Sequence, residues 1–111
     1  MNRPTARPQT LDIFTDGPCL VLTGRFDGRS TWRVRAALYD LLADVDDVVV
    51  DLTGVDAVDV TALKVLAAAS FAGARDGQHI TLRGCNGPVR RLLHRTHLIR
   101  LLEVERCAAS A

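Results

Sequence analysis

Polar side chains crowd one short stretch of this sequence, at the join between an apolar run and an Ala-rich segment. In VVVDLTGVDAVDVTALKVL, which starts at Val48, the polar residues Asp56, Asp59 and Thr61 lie close together. A carboxylate just before a helix accepts hydrogen bonds from the first unpaired amides and meets the positive end of the helix dipole. Asp59 is therefore predicted to cap a helix whose first turns carry Val60, Thr61, Ala62 and Lys64.

Two other carboxylates are candidates for chemistry, and both are predicted to fix loops. Acid–base catalysis needs a second group with a differently tuned pKa, and the sequence supplies none beside Asp27 or Asp51. Cys85, with His79 a few residues before it, could form a nucleophile pair, but a lone cysteine beside a strand is commonly a small core residue. We expect a protein that is not an enzyme.

A basic segment near the end of the chain, RRLLHRTH, is the remaining candidate for a metal or nucleic-acid site. His94 and His97 form an H-x-x-H pair without a third spaced ligand, which is a weak signal for zinc. Basic residues around the apolar stripe of a helix usually form a solvated face. We predict no metal site, no cofactor and no direct binding of nucleic acid.

Composition sets further bounds on function. The chain has 111 residues, 48% of them apolar, and a net charge of +1, so it can build one core and has no bulk charge that would attract nucleic acid. Its three cysteines, Cys19, Cys85 and Cys107, are far apart and predict reduced thiols. Asp59 and Lys64 interrupt the most apolar region, and the opening residues resemble no signal peptide. We expect a cytoplasmic protein without membrane insertion.

Periodicity predicts the elements that position the polar stretch. Residues 1–10 are predicted to be a flexible arm, followed by two strands, LDIFTDG and CLVLTGRF, joined through a turn at Asp16-Gly17-Pro18. The helical period then begins near Ser30 or Thr31, either of which could be the N-cap. One face of this helix is apolar through Val34, Ala37, Leu38, Leu41, Leu42 and Val45.

The second half of the sequence alternates strand and helix. DVVVDL is predicted to be a central strand covered on both faces. A second helix follows, with an apolar stripe through Leu63, Leu66, Ala67, Phe71 and Ala74. HITLRG is a strand, Asn86-Gly87-Pro88 opens a third helix with the inner stripe Val89, Leu92, Leu93 and Thr96, and a last strand runs through residues 100–104. The order ββαβαβαβ predicts an α/β fold with crossover helices, ending in a tail at residues 106–111.

The second helix lacks the charged outer face of a solvated helix. Between Val60 and Ala74 the only charged residue is Lys64, which predicts that a partner covers part of this face. Trp32 and Tyr39, seven residues apart on one edge of the first helix, either cap the core or anchor a partner.

Three separated segments resemble the STAS domains, the sulfate-transporter and anti-sigma-factor-antagonist family. DLTGVDAVDVTALKVL is similar to the core motif of the family, GRFD at Gly24 to Asp27 to the segment before its first helix, and CNGPVRRLLHRTHLIRLLEV to its last helix and strand. The resemblance covers residues 11–105 and implies a single domain, a mixed β-sheet with helices packed on one side. It also implies a bacterial regulator that binds a serine-kinase anti-sigma factor. We expect the binding surface to comprise the start of the second helix and the loop before it, with the residues Asp27, Asp59, Val60, Thr61, Ala62 and Lys64.

The sequence departs from the family pattern D-S-[ST]-G-L at two positions. Val60 stands where the family has its phosphoacceptor serine, and Ala62 stands where it has glycine. Thr61 keeps the neighbouring hydroxyl. Three interpretations stay open: an antagonist that binds constitutively, a switch moved to Thr61, or a different partner. The alternatives in other functional classes are a STAS subunit of a membrane-transport complex and a small module that binds anions or nucleotides at a helix start.

Overall fold

A computed structural model of the chain describes residues 10–105, which form one α/β domain. Five strands and three α-helices follow one another along these residues, with a short 3-10 helix, Leu98–Arg100, before the last strand. The strands are β1 Leu11–Asp16, β2 Cys19–Phe26, β3 Asp47–Val58, β4 His79–Arg83 and β5 Glu103–Val104. The helices are α1 Thr31–Leu42, α2 Val60–Ala74 and α3 Gly87–Arg95.

The sheet is mixed and keeps its strands in sequence order. β1 and β2 form an antiparallel hairpin through Gly17, and β2, β3, β4 and β5 run parallel to one another. The predicted order ββαβαβαβ is confirmed. Two boundaries differ from the prediction, because β3 continues six residues beyond Leu52 to Val58, and the segment predicted as the last strand begins as the 3-10 helix and pairs only at Glu103 and Val104.

The helices cover one face of the sheet, as the family resemblance implied. Along β3, Val48, Val50 and Leu52 are buried, whereas Val49 and Asp51 on the other face are half-buried. The prediction that DVVVDL is covered on both faces is therefore wrong, although the strand is central in the sheet. An apolar run without alternation cannot by itself show which face a helix covers.

The inner face of α2 differs from the predicted stripe. Leu63, Leu66 and Ala67 are buried as expected, but Phe71 is 67% exposed and Ala74 is exposed too. Small residues take the inner positions instead, and a Cβ built on Gly73 would lie 3.4 Å from the Cβ of Gln78. In an Ala-rich helix the inner face is set by how closely neighbouring elements approach, and the spacing of the large side chains does not reveal it.

The stripes predicted for α1 and α3 lie on the core side. Val34, Leu38 and Leu42 are buried in α1, and Val89 and Leu93 in α3. The remaining predicted stripe residues are partly buried: Ala37, Leu41, Val45, Leu92 and Thr96.

Several predictions fall on residues 1–9 and 106–111, which lie outside the described part of the chain. These are the arm at residues 1–10, apart from Thr10, the tail at residues 106–111, and the thiol of Cys107. Cys19 and Cys85 are free cysteines. No helix within residues 10–105 is long and apolar enough to cross a membrane.

Candidate functional site

All three helices begin at the same edge of the sheet, and the predicted site lies there. β2, β3 and β4 are parallel, so their carboxyl ends meet at one edge, where α1, α2 and α3 follow them in turn. The loop after β2 carries Asp27 and Gly28, and Asp59 joins β3 to α2. Loops at this edge of parallel sheets commonly carry binding sites.

The carboxylate of Asp59 joins two of these segments. Its Oδ1 accepts a hydrogen bond of 2.8 Å from the backbone N–H of Ala62, which confirms the predicted N-cap of α2. Its Oδ2 accepts a second hydrogen bond of 3.1 Å from the N–H of Gly28, 31 residues earlier. The Asp59 side chain therefore provides an acceptor for a free N–H group at the start of α2. It also holds the loop after β2 against this helix. The second bond joins residues far apart in the chain, so no local sequence pattern predicts it.

The loop after β2 is also fixed from within. Asp27 Oδ1 accepts a hydrogen bond of 3.0 Å from the N–H of Arg29, as expected for a carboxylate that fixes a loop. Ser30 occupies the predicted N-cap position of α1, but its hydroxyl makes no cap bond to the helix. The Ser30 Oγ instead donates to the Asp27 carbonyl at 3.2 Å and accepts from the Asp27 N–H at 3.3 Å. The site thus has a rigid rim on the side of α1.

Gly24, the first residue of the GRFD segment, has a steric reason to be glycine. Its φ is +102°, and a Cβ at this position would collide with the carbonyl oxygen of Thr10. Only glycine adopts this conformation at little cost and lets the start of β1 come so close.

The residues at the start of α2 differ in exposure. Thr61 and Lys64 are exposed, and Val60 is half-buried. Gly28 lies against Thr61, since a Cβ built on this glycine would be 3.6 Å from Thr61 Cγ2. Ala62 is fully buried, so its expected place on a binding surface is wrong: its side chain packs in the core, and only its N–H takes part in the site.

An exposed face with little charge continues along α2 from this start. It consists of the exposed residues Thr61, Lys64, Ala68, Phe71 and Ala72, which we call the α2 outer face. On α1, Trp32 and Tyr39 are exposed as well, with the Arg35 guanidinium 5.8 Å from the Tyr39 ring centre. Tyr39 and Ala72 line the same shallow depression between the two helices. Tyr39 therefore borders the α2 outer face, and neither exposed aromatic residue of α1 caps the core.

The other candidates for chemistry are not brought together. His79 and Cys85 lie at opposite ends of β4, and His79 Nδ1 is 3.2 Å from Glu103 Oε2. Burial raises the pKa of the Cys85 thiol, which disfavours the nucleophilic thiolate. Within residues 10–105 no group of three or more His, Cys, Asp or Glu side chains could hold a metal ion. Asp51 Oδ1 accepts hydrogen bonds from the Thr53 N–H and hydroxyl at 2.9 and 2.6 Å. Both residues lie in β3, so the prediction that Asp51 fixes a loop is wrong, and its bonds hold the backbone within the strand.

Asn86 is a structural residue of the site whose bridging role was not foreseen from the sequence. Its Oδ1 accepts from the Val89 N–H at 3.2 Å and caps α3, while its Nδ2 donates to the Val55 carbonyl at 2.8 Å. The order Asn-Gly-Pro predicted the helix start, but the bond to β3 depends on tertiary structure. Asn86 therefore fixes α3 to the end of β3 on the side opposite Gly28.

The fold is shared with solved proteins of low sequence identity. A candidate anti-sigma factor antagonist from Thermotoga maritima has a TM-score of 0.71 and 15% identity, over 90% of this chain and 89% of that one. An anti-sigma factor antagonist from Mycobacterium paratuberculosis has a TM-score of 0.67 and 20% identity, over 91% and 88%. A sulfate transporter family protein from Wolinella succinogenes has a TM-score of 0.61 and 18% identity, over 78% and 73%.

Sequence comparison gives the family directly. A search of curated proteins gives no match. The family model described as "Mlab, STAS domain" matches residues 10–103, which include the sheet edge, the Asp59 cap and the whole of α2. This chain belongs to the STAS domain family.

Proposed function

We propose that this protein is a non-catalytic regulator of the anti-sigma-factor-antagonist kind, which binds an anti-sigma factor of the serine-kinase type. The proposed contact surface is the start of α2 with the loop after β2, and includes Asp27, Asp59, Val60, Thr61 and Lys64. Ala62 contributes its backbone alone. Similar folds among anti-sigma factor antagonists support this general kind of function.

One observation carries the proposal: the double hydrogen bond of Asp59. By joining Gly28 to the first turn of α2, it holds two exposed segments as one preformed surface. A preformed surface loses little conformational entropy when a partner binds. The α2 outer face that continues from it has a single charge, at Lys64, and such a face can be covered without leaving several charges unpaired.

The usual control of such a surface by phosphate is altered in this chain. Val60 has no hydroxyl, so it cannot accept a phosphate. Thr61 is exposed, and within residues 10–105 its hydroxyl has no hydrogen-bond partner. A phosphate there would add about −1.5 to −2 charges beside Gly28 and Asp59, enough to repel an acidic or apolar partner surface. The protein is thus either a constitutive antagonist or one whose switch has moved to Thr61.

Phosphate mapping separates these outcomes. The partner is captured from the native cell, identified by mass spectrometry, and incubated with ATP and the wild type, Thr61→Ala or Val60→Ser. Phosphate on Thr61 of the wild type indicates a moved switch. Phosphate only on the serine introduced at position 60 indicates a constitutive antagonist. If no variant is phosphorylated and no kinase-like protein is captured, the anti-sigma proposal is wrong.

A STAS subunit of a membrane-transport complex is the second candidate. The missing hydroxyl at Val60 favours it, because a permanent subunit needs no phosphate switch, and a sulfate transporter family protein shares the fold. Capture of permease or ATPase subunits in the same experiment would favour this function. An anion-binding or nucleotide-binding module has the least support, since the Asp59 carboxylate already occupies the N–H of Ala62 at the helix start.

A further inference from the structure

A groove beside α2 begins at Lys64, at the edge of the proposed contact with the anti-sigma factor, and extends away from it. It lies between α2 and the segment from the 3-10 helix to β5, runs from Lys64 toward the C-terminal end of α2, and has a volume of about 610 Å³. Small and apolar residues line it, among them Ala67, Ala68 and Leu98. Two large side chains border it and are largely exposed, Phe71 at 67% and Leu101 at 59%.

The cations at this groove have no partner within residues 10–105. Lys64 and Arg100 line the groove, and neither makes an ion pair or side-chain hydrogen bond with another described residue. The third charged residue, Glu103, already has its carboxylate 3.2 Å from His79 Nδ1. The groove thus combines an apolar lining with unpaired positive charge, and its chemical complement is an apolar surface that carries negative charge.

The shape of the groove decides between a small molecule and a protein segment. Sites for small molecules typically enclose about 70–90% of the ligand surface, whereas this groove is widely open to solvent. A partner protein can bury the exposed part of the groove under its own surface. Lys64 and Phe71 are about two helical turns apart, or ~10 Å, so the groove is long enough to hold a short helical segment of a partner.

We infer that this groove binds an amphipathic α-helix of a partner protein, with apolar side chains between Phe71 and Leu101 and acidic side chains that meet Lys64 or Arg100. The small lining residues let the backbone of such a helix approach closely. The groove shares Lys64, Ala68 and Phe71 with the α2 outer face. The inference goes beyond the proposed function, because it concerns the cleft between α2 and the 3-10 helix and does not require an anti-sigma factor.

A displayed library of amphipathic helices, about four turns long and randomised at the apolar and flanking positions, tests this inference. Helices are selected on the full chain, and their affinities are measured by fluorescence anisotropy. We expect the selected helices to share two or more apolar residues on one face with an acidic neighbour. The double variant Lys64→Glu, Arg100→Glu should weaken them about tenfold and select helices with basic neighbours instead.

Two phenylalanine variants provide the matched control. Phe71→Ser should weaken the selected helices about tenfold. Phe14→Ser, at a phenylalanine of similar exposure (63%) on β1, should leave their affinity unchanged. Equal losses from both variants, selected helices without acidic neighbours, or no binders at all would overturn the inference. Self-association of the wild type that is abolished by Phe71→Ser would also overturn it and assign the groove to a second copy of the chain. Tight binding of dodecanoate would overturn it as well and assign the groove to a small amphiphile.

Discussion

Asp59 shows how one residue can serve both folding and recognition. As an N-cap it contributes about 1 kcal/mol to the stability of α2, and its second hydrogen bond fixes the loop at Gly28. The sequence predicted the first role, because a carboxylate before a helical period follows a local rule. The second role depends on a residue 31 positions away, and no local pattern contains that information.

A carboxylate introduced at Val60 or at Ala62 compares a surface position with a core position at the start of α2. Val60→Asp should change the free energy of unfolding by no more than about 1 kcal/mol, because Val60 is half-buried in the first turn, where a carboxylate favours the helix dipole. Ala62→Asp should cost about 3 kcal/mol or more, because it places a carboxylate where the side chain is fully buried. Thermal melting by circular dichroism measures both.

Binding to the captured partner completes this comparison. Val60→Asp should abolish binding measured by calorimetry while the melting temperature stays close to that of the wild type. Unchanged affinity would place the contact surface elsewhere. A melting temperature as low as that of Ala62→Asp would show instead that Val60 belongs to the core.

At the scale of elements, the sequence predicted the order of the strands and helices better than it predicted which face of each is buried. α1 carries its large apolar residues on one stripe, so Val34, Leu38 and Leu42 marked the buried face correctly. α2 is apolar nearly all around, and its stripe was assigned through Phe71, which is exposed. The prediction for β3 was wrong for the same reason, since three consecutive valines show no alternation of apolar and polar residues that would identify the buried face. Where a segment is uniformly apolar, only the packing of its neighbours decides which side is buried.

Asn86 gives the prediction at this scale, because it links α3 to β3. Asn86→Ala removes the cap and leaves the Val55 carbonyl without its donor, so we expect a loss of about 2 kcal/mol in urea unfolding. Asn86→Ser keeps an N-cap acceptor for the Val89 N–H and loses only the donor to the Val55 carbonyl, so its loss should be smaller. Equal losses for the two variants would show that the cap contributes nothing and that the bond to Val55 carries the whole effect.

At the scale of the whole molecule, one buried core accounts for the domain. Its residues run from Leu11 to Leu102, and the helices cover only one face of the sheet. The opposite face is partly polar and carries exposed ion pairs, such as Arg83 Nε with Glu105 Oε1 at 2.9 Å. Exposed pairs of this kind contribute about 0–1 kcal/mol, so the stability of the domain depends on the single apolar layer between sheet and helices.

The boundaries of the domain follow from this core, and they can be tested by truncation. A chain of residues 10–105 should melt in one cooperative transition, with a free energy of unfolding within about 1 kcal/mol of the full chain, because it contains every buried apolar residue of the described structure. A chain that starts at Gly17 provides the control. It lacks β1, and therefore loses the buried side chain of Leu11 and leaves the edge of β2 unpaired, so it should be destabilised by several kcal/mol or fail to fold. Urea unfolding of the three chains measures the differences. A 10–105 chain as unstable as the control would show that residues 1–9 or 106–111 belong to the folded unit, and removing each end separately would identify which.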